Sequence, residues 1–167
     1  SYGLLKEPGK RLEALERAGA QAPDDAELRE LARAYEALSR HEDRLRALRA
    51  LRTLRPEDGG LALQEAAAAR AARRREEARA ALDAAVRLST GPAQKQAAAL
   101  LYQELGALDQ AVAVLESLAK QWPGQAAYRK DLGVAQYLAG SPEAAVASLT
   151  EAVRLDASLL DGYLSLG

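Results

Sequence analysis

Small and apolar residues return along this chain at a fixed interval. Leu132-Gly133 is followed by Gly140, Ala145, Leu149 and Ala152. The Leu-Gly pair comes back 34 residues later as Leu166-Gly167, with Tyr163 three residues ahead of Leu166. Thirty-four residues before Ala145 stands Ala111, with Tyr102, Gly106, Leu115 and Pro123 around it. Upstream, Leu31-Ala32 and Tyr35 open a stretch that closes at Pro56, and a fainter copy carries Ala78, Leu82 and Ala85. Tyr2, Leu12, Leu15, Ala18 and Pro23 fit the second part of one more copy. A period of this size marks stacked supersecondary units, none of which can bury its apolar face alone. Each unit is predicted to be two short helices joined by a tight turn. Gly106 and Gly140 fall at the turn, where a left-handed backbone is easiest for Gly. Ser141-Pro142-Glu143 reads as an N-cap, a Pro at the first helical position and a first-turn acid. Pro23, Pro56 and Pro123 stand where second helices end, because a helix does not continue through Pro without losing a bond.

The chain resembles the tetratricopeptide repeat (TPR) family on these residues. Tyr163-x2-Leu166-Gly167 matches the family's W-x2-L-G opening with Tyr for Trp, and Tyr102, Ala111 and Pro123 fall where the TPR pattern has its aromatic, Ala and terminal Pro. The resemblance covers the whole chain. It divides the sequence into a half repeat at 1–24, repeats at 25–58, 59–91, 92–125 and 126–159, and a broken start at 160–167. It implies an all-α solenoid of antiparallel helix pairs in a right-handed superhelix. It also implies that the first helix of each pair lines a concave groove where ligands bind, mainly through helix positions 2, 5, 9, 12 and 13. Those positions hold Arg29, Arg33 and Glu36, then Leu63 and Arg70, then Gln96, Leu100, Gln103 and Glu104, then Lys130, Val134 and Tyr137. Among these, Tyr137 beside Lys130 is the candidate anchor, since Tyr and cations are favoured at interfaces. The alternative is that Tyr137 packs on the next repeat.

Composition supports helices. Apolar residues make up 49% of the chain, yet Phe, Met, Ile and Cys are absent and Ala with Leu dominate. These two head the helix-propensity ranking, while strand-favouring β-branched and aromatic residues are scarce. Residues 65–75 carry no large apolar side chain, so their helix is expected to be held mainly by its own backbone and by close approach to its neighbours. The stretch 59–91 is then the soft joint, with the lowest hydrogen-exchange protection of the interior repeats.

Chemistry is thin. With no Cys and no Asn, and His41 as the one histidine, most nucleophile–base–orienter arrangements are unavailable. His41 falls in a turn between helices. Glu76-Glu77 and Asp24-Asp25 are sequence neighbours, which do not share a helix face, and they read as caps and first-turn acids. No phosphate loop and no metal-spaced cluster occurs. The chain is therefore read as a non-enzyme without cofactor or metal.

Net charge is −1, which gives no bulk attraction to nucleic acid or anionic lipid. Between residues 40 and 87, however, twelve Arg stand against eight acids. Nucleic-acid binding would interleave aromatic platforms among these cations, and none occurs between Tyr35 and Tyr102. Arg46, Arg49 and Arg52 recur every three residues and are read as a solvated outer face. No apolar run is long enough to span a membrane.

The resemblance implies a protein-interaction scaffold whose partner is another protein or peptide. Chaperone-tail binding of the carboxylate-clamp kind uses groove Asn, which this chain lacks. The degenerate repeats and the Ala, Leu and Arg bias are similar to the periplasmic TPR regions of bacterial exopolysaccharide-export outer-membrane proteins of the Pel or cellulose type. Those regions recruit polymer-modifying enzymes, so a periplasmic location is favoured over a cytoplasmic one. Two other readings stand beside this: a surface that contacts and guides a polysaccharide, and a structural spacer. Leu160, Tyr163, Leu164 and Leu166 lack a second helix to pack on, as Tyr2, Leu4 and Leu5 lack most of a first. Weak end-to-end self-association is expected from them.

Overall fold

Each helix pair turns back on itself with the same backbone device. The computed structural model describes residues 23–89 and 91–159. Among these are eight helices and no strands: α1 (Asp25–Ala37), α2 (His41–Leu54), α3 (Gly59–Ala71), α4 (Arg75–Leu88), α5 (Pro92–Glu104), α6 (Leu108–Gln121), α7 (Ala126–Leu138) and α8 (Pro142–Leu155). The expected half repeat at the front and the broken start from 160 onward, with their proposed sticky ends, lie outside the described residues. After α1 the Arg40 N–H donates to the Tyr35 carbonyl at 2.9 Å and the Ser39 N–H to Glu36 at 3.0 Å. The same two bonds recur as Arg74 to Ala69 and Arg73 to Arg70, as Ala107 to Tyr102 and Gly106 to Gln103, and as Ser141 to Gln136 and Gly140 to Tyr137. This is the Schellman closure, and it requires a left-handed residue just past the helix. Gly106 (φ 70°) and Gly140 (φ 81°) supply it at no steric cost, but Ser39 (φ 55°) and Arg73 (φ 60°) supply it against their Cβ.

Helix starts are set locally. Asp24 caps α1 by accepting from the Glu27 N–H at 2.9 Å, and the Glu27 carboxylate answers by accepting from the Asp24 N–H at 3.1 Å. Asp58 caps α3 through the Leu61 N–H at 3.0 Å. Pro92 and Pro142 open α5 and α8, where a missing N–H costs nothing. Ser141 holds the N-cap position predicted for it, but its side chain makes no capping bond. Its ψ of 69° departs from the extended backbone that aims such a side chain at the first turn.

The helices form two compact units, α1–α4 and α5–α8. In the first, α1 packs on α2, α2 on α3 and α3 on α4; in the second, the order α5, α6, α7, α8 repeats the pattern. Side-chain size explains the spacing. On α3, Leu61, Ala62, Ala66, Ala68 and Ala69 are all fully buried, and Ala62 meets Ala84 and Ala85 of α4 in a cluster edged by Leu63. In the second unit Gly133 lies at the centre of the α7–α8 contact. A Cβ placed there would stand 2.6 Å from Leu149 Cγ and 3.1 Å from the Ala145 carbonyl oxygen. Beside it the buried Ser148 hydroxyl donates to Gln136 Oε1 at 2.8 Å, so both polar groups are satisfied.

The alanine helix is anchored by more than its backbone. Glu65, buried among the alanines of α3, accepts from Arg52 Nη1 at 2.7 Å and from Arg49 Nε at 3.4 Å, both on α2. Arg49 also reaches Glu77 on α4, and this hydrogen bond is the largest cause of its raised pKa. Arg74 closes the far side by pairing with Glu42 at 3.0 Å. Of the expected solvated face of Arg46, Arg49 and Arg52, Arg46 is the most exposed, with Asp43 at 2.8 Å, while Arg49 and Arg52, still partly in solvent, also pair with acids of α3 and α4.

Three measurements follow from this packing. Arg73→Gly relieves the left-handed strain and should raise the unfolding free energy by about 1 kcal/mol, read as a higher urea midpoint; an unchanged or lower midpoint contradicts the turn assignment. Gly133→Ala should lower stability by about 1–3 kcal/mol through overpacking, although Ala is the better helix former. Glu65→Ala should lower it by about 1–2 kcal/mol, discounted because both arginines are partly solvated. The α3 amides should then exchange faster, whereas Arg46→Ala should stay within about 0.5 kcal/mol.

Candidate functional site

In the first unit the outward residues of α1 follow the helical repeat, so Arg29, Arg33 and Glu36 lie along one face. Their states differ. Arg29 Nε donates to Asp25 Oδ2 at 2.8 Å, and this bond, outweighing burial, which pushes the other way, holds the Asp25 carboxyl below its usual range. Glu36 Oε1 takes Arg44 Nη1 from α2 at 2.8 Å. Arg33 is exposed and has no hydrogen-bond or ion-pair partner among the described residues. The three surround a cleft of about 290 Å³ whose wall is completed by Arg44 and by Gln64 of α3, over a floor of Ala32, Leu48 and Leu51. Arg70, predicted for the same groove, is exposed on α3 and is not part of this cleft.

Arg44 and Gln64 escaped the sequence reading. Arg44 belongs to a second helix, where the groove rule places no ligand contact, and Gln64 falls between the chosen positions of α3. The signal for Arg44 was its place just across a tight turn from Glu36, which brings an acid and a base together. Arg44 Nε is itself buried with no hydrogen-bond partner.

In the second unit, Gln96, Leu100 and Gln103 share a face of α5, while Lys130, Val134 and Tyr137 share a face of α7. A direct bond ties these faces together. Gln96 Nε2 donates to Asp131 Oδ2 at 2.6 Å, and Lys130 Nζ stands 3.6 Å from the other oxygen of the same buried carboxylate. Gln96 thus braces α5 against α7, while Lys130 pairs with its own neighbour on α7. Asp131 is the residue missed here, since an acid one place before Leu132-Gly133 gives no sign that it is buried. Gln103 Nε2 is buried without a hydrogen-bond partner, and Glu104 is exposed.

The apolar members of the face are in the open. Leu100 and Val134 are 40% and 39% exposed, and Tyr137 is 67% exposed with Leu138 beside it at 53%. The next repeat, on which Tyr137 would pack in the alternative reading, lies outside the described residues. His41 sits at the first position of α2, half-buried, with an unpartnered Nδ1. No group of three or more His, Cys, Asp or Glu able to hold a metal is found among the described residues, and no described helix is long and apolar enough to cross a membrane.

No protein-family model and no curated protein matches the sequence. Solved structures do match it. MamA from Desulfovibrio magneticus RS-1, from residue 41 to its end, aligns over 92% of this chain and 88% of its own at 17% identity, with a TM-score of 0.69. YrrB, a TPR protein with an unusual peptide-binding site, aligns over 91% and 79% at 17% identity and a TM-score of 0.68. A kinesin light chain of Podosopora anserina with nearly identical TPR-like repeats aligns over 91% and 88% at 19% identity and a TM-score of 0.72. Likeness at these identities shows the fold: the chain is an all-α protein of tetratricopeptide-repeat architecture.

Proposed function

We propose that the chain is a non-enzymatic scaffold that binds another protein through a peptide segment laid along its first-helix faces. The observation that carries this reading is the exposed line of Leu100, Val134 and Tyr137 on α5 and α7. Apolar side chains left partly in water on a folded helix face gain free energy when a partner covers them. Tyr brings a large contact area at low entropy cost, with a hydroxyl at its tip. The likeness to YrrB supports a peptide as the occupant, since that protein is a TPR protein with a peptide-binding site.

Placement within a periplasmic assembly that exports exopolysaccharide is a finer proposal. It rests on the degenerate repeats and on the Ala, Leu and Arg bias of the sequence. A polymer-guiding surface built from the Arg-rich stretch draws less support, because Arg49, Arg52 and Arg74 are already paired with Glu77, Glu65 and Glu42.

The test uses peptides selected from a random displayed library against the intact chain. Peptides that bind should lose at least about tenfold in affinity for Tyr137→Ala combined with Val134→Glu, while the melting temperature of that variant stays within about 2 °C. Selection of no peptide, or equal binding to the variant, contradicts the proposal.

A further inference from the structure

The second unit repeats the frame of the first, and the positions where they differ show what has been left open. Each helix of α5–α8 starts 67 residues after its counterpart in α1–α4: Pro92 after Asp25, Leu108 after His41, Ala126 after Gly59 and Pro142 after Arg75. The left-handed turn residues keep the spacing, with Gly106 after Ser39 and Gly140 after Arg73. In the first unit two ion pairs join α2 to the turn before α4 and to its first residues. Arg74 Nε donates to Glu42 Oε1 at 3.0 Å, and Arg49 pairs with Glu77. The second unit has Ser141 where Arg74 stands, Asp109 for Glu42, Glu116 for Arg49 and Ala144 for Glu77. One acid is kept, one is gained, and both guanidinium groups are lost.

A groove of about 310 Å³ is bordered by all four of these residues of the second unit. Asp109, Val112, Ala113 and Glu116 follow at three- and four-residue steps and form one stripe of α6 along it. A carboxylate stands at each end of the stripe, about 10 Å apart along the helix, with small apolar side chains between them. Ala139 of α7 and Ala144 of α8 complete the apolar lining. Asp109 and Glu116 are exposed and have no hydrogen-bond or ion-pair partner among the described residues. The Ser141 side chain makes no capping bond that would occupy it.

We propose that this groove receives an arginine side chain of a partner protein, whose guanidinium meets Asp109 as Arg74 meets Glu42 in the first unit. The protein thus shows, in one unit, the group that the other lacks. An Arg stem lies well along small apolar side chains while its head stays at the wet rim. Its planar fork bonds a carboxylate at two points, which a lysine cannot do. Residues 89–167 carry eight acids against five Lys and Arg, a balance that draws in a cationic segment. The groove shares no residue with the exposed line through Leu100, Val134 and Tyr137, so it is a second docking surface, built on a second helix.

Fluorescence polarisation at low salt tests this with two labelled, acetylated and amidated peptides against the full chain, one of alternating Gly and Arg and one of alternating Gly and Gln. The Arg peptide should bind and the Gln peptide should not. Asp109→Asn should weaken Arg-peptide binding at least about fivefold, whereas Glu57→Gln, the same loss of charge on an exposed loop of the first unit, should change it less than about twofold. Ser141→Arg gives the second unit the arrangement of the first. It should weaken the peptide at least about tenfold by filling the groove from within, with a melting temperature at or above that of the parent chain. Equal losses at Asp109→Asn and Glu57→Gln reduce the effect to net charge and overturn the proposal, as does insensitivity to both Asp109→Asn and Ser141→Arg. A loss at Tyr137→Ala with none at Asp109→Asn leaves the scaffold reading standing and removes this one. Sedimentation of the chain alone completes the test: self-association that Asp109→Asn abolishes makes a second copy the occupant and overturns the assignment to a separate partner.

Discussion

The close approach of paired helices over small side chains is the constraint from which the rest of the structure follows. The eighth residue of each first helix is Ala32, Ala66, Ala99 or Gly133, and all four are buried. With only a methyl group or a hydrogen at that point, two backbones can come near enough for side chains three and four places away to interlock. Gly133 shows how little room is left, since the space for its absent Cβ is already held by Leu149. An Ala-rich interior gains little area per side chain. This is offset in part because alanine loses no rotamer freedom on folding.

Such an interior makes electrostatic fastening useful. Where α3 offers mostly alanine to its neighbours, Glu65 and the arginines of α2 tie three helices together. An Arg suits this work because its planar fork serves two carboxylates at once, as Arg49 does with Glu65 and Glu77. In the second unit the pairing is milder. Gln96 and Lys130 share one buried carboxylate, and Trp122 stacks edge-on against Tyr128 at 6.2 Å to close the α6–α7 turn.

What could be read from the sequence divides along the range of the interaction. Helix pairing was legible because Gly106, Gly140, Pro56, Pro123, Pro142 and the 34-residue return of small residues act through local backbone geometry. The turns at Ser39 and Arg73 were not, since neither residue prefers a left-handed backbone and tertiary packing overrides that preference. Pairings such as Arg49 with Glu77 and Gln96 with Asp131 join residues 28 and 35 places apart. No periodicity marks them, and a lone acid in a helix reads as solvated until its neighbour is known. Hence the arginines of α2 read as surface, and Arg44 and Asp131 escape the candidate site. The groove residues were placed by family resemblance, and their roles separate only when partners are visible. Gln96 braces, Lys130 pairs with its neighbour Asp131, Arg29 is neutralised, and Arg33 and Tyr137 stand free of such duties among the described residues.

The residue that follows the small one completes the argument. One place after Ala32, Ala66, Ala99 and Gly133 come Arg33, Ala67, Leu100 and Val134. A step of one along a helix rotates the side chain by about 100°, which carries it from the packed stripe to its border. The buried position tolerates nothing larger than a methyl group, whereas its neighbour carries a cation in one copy, a methyl in the next and branched apolar chains in the other two. Packing therefore fixes one column of the repeat and leaves the adjacent column free to carry chemistry. Each unit uses that freedom differently: a charged cleft beside Arg33 in the first, and an apolar line through Leu100 and Val134 in the second. A fold whose interior is nearly uniform can still present distinct surfaces, because the helices that display them are positioned by residues too small to vary.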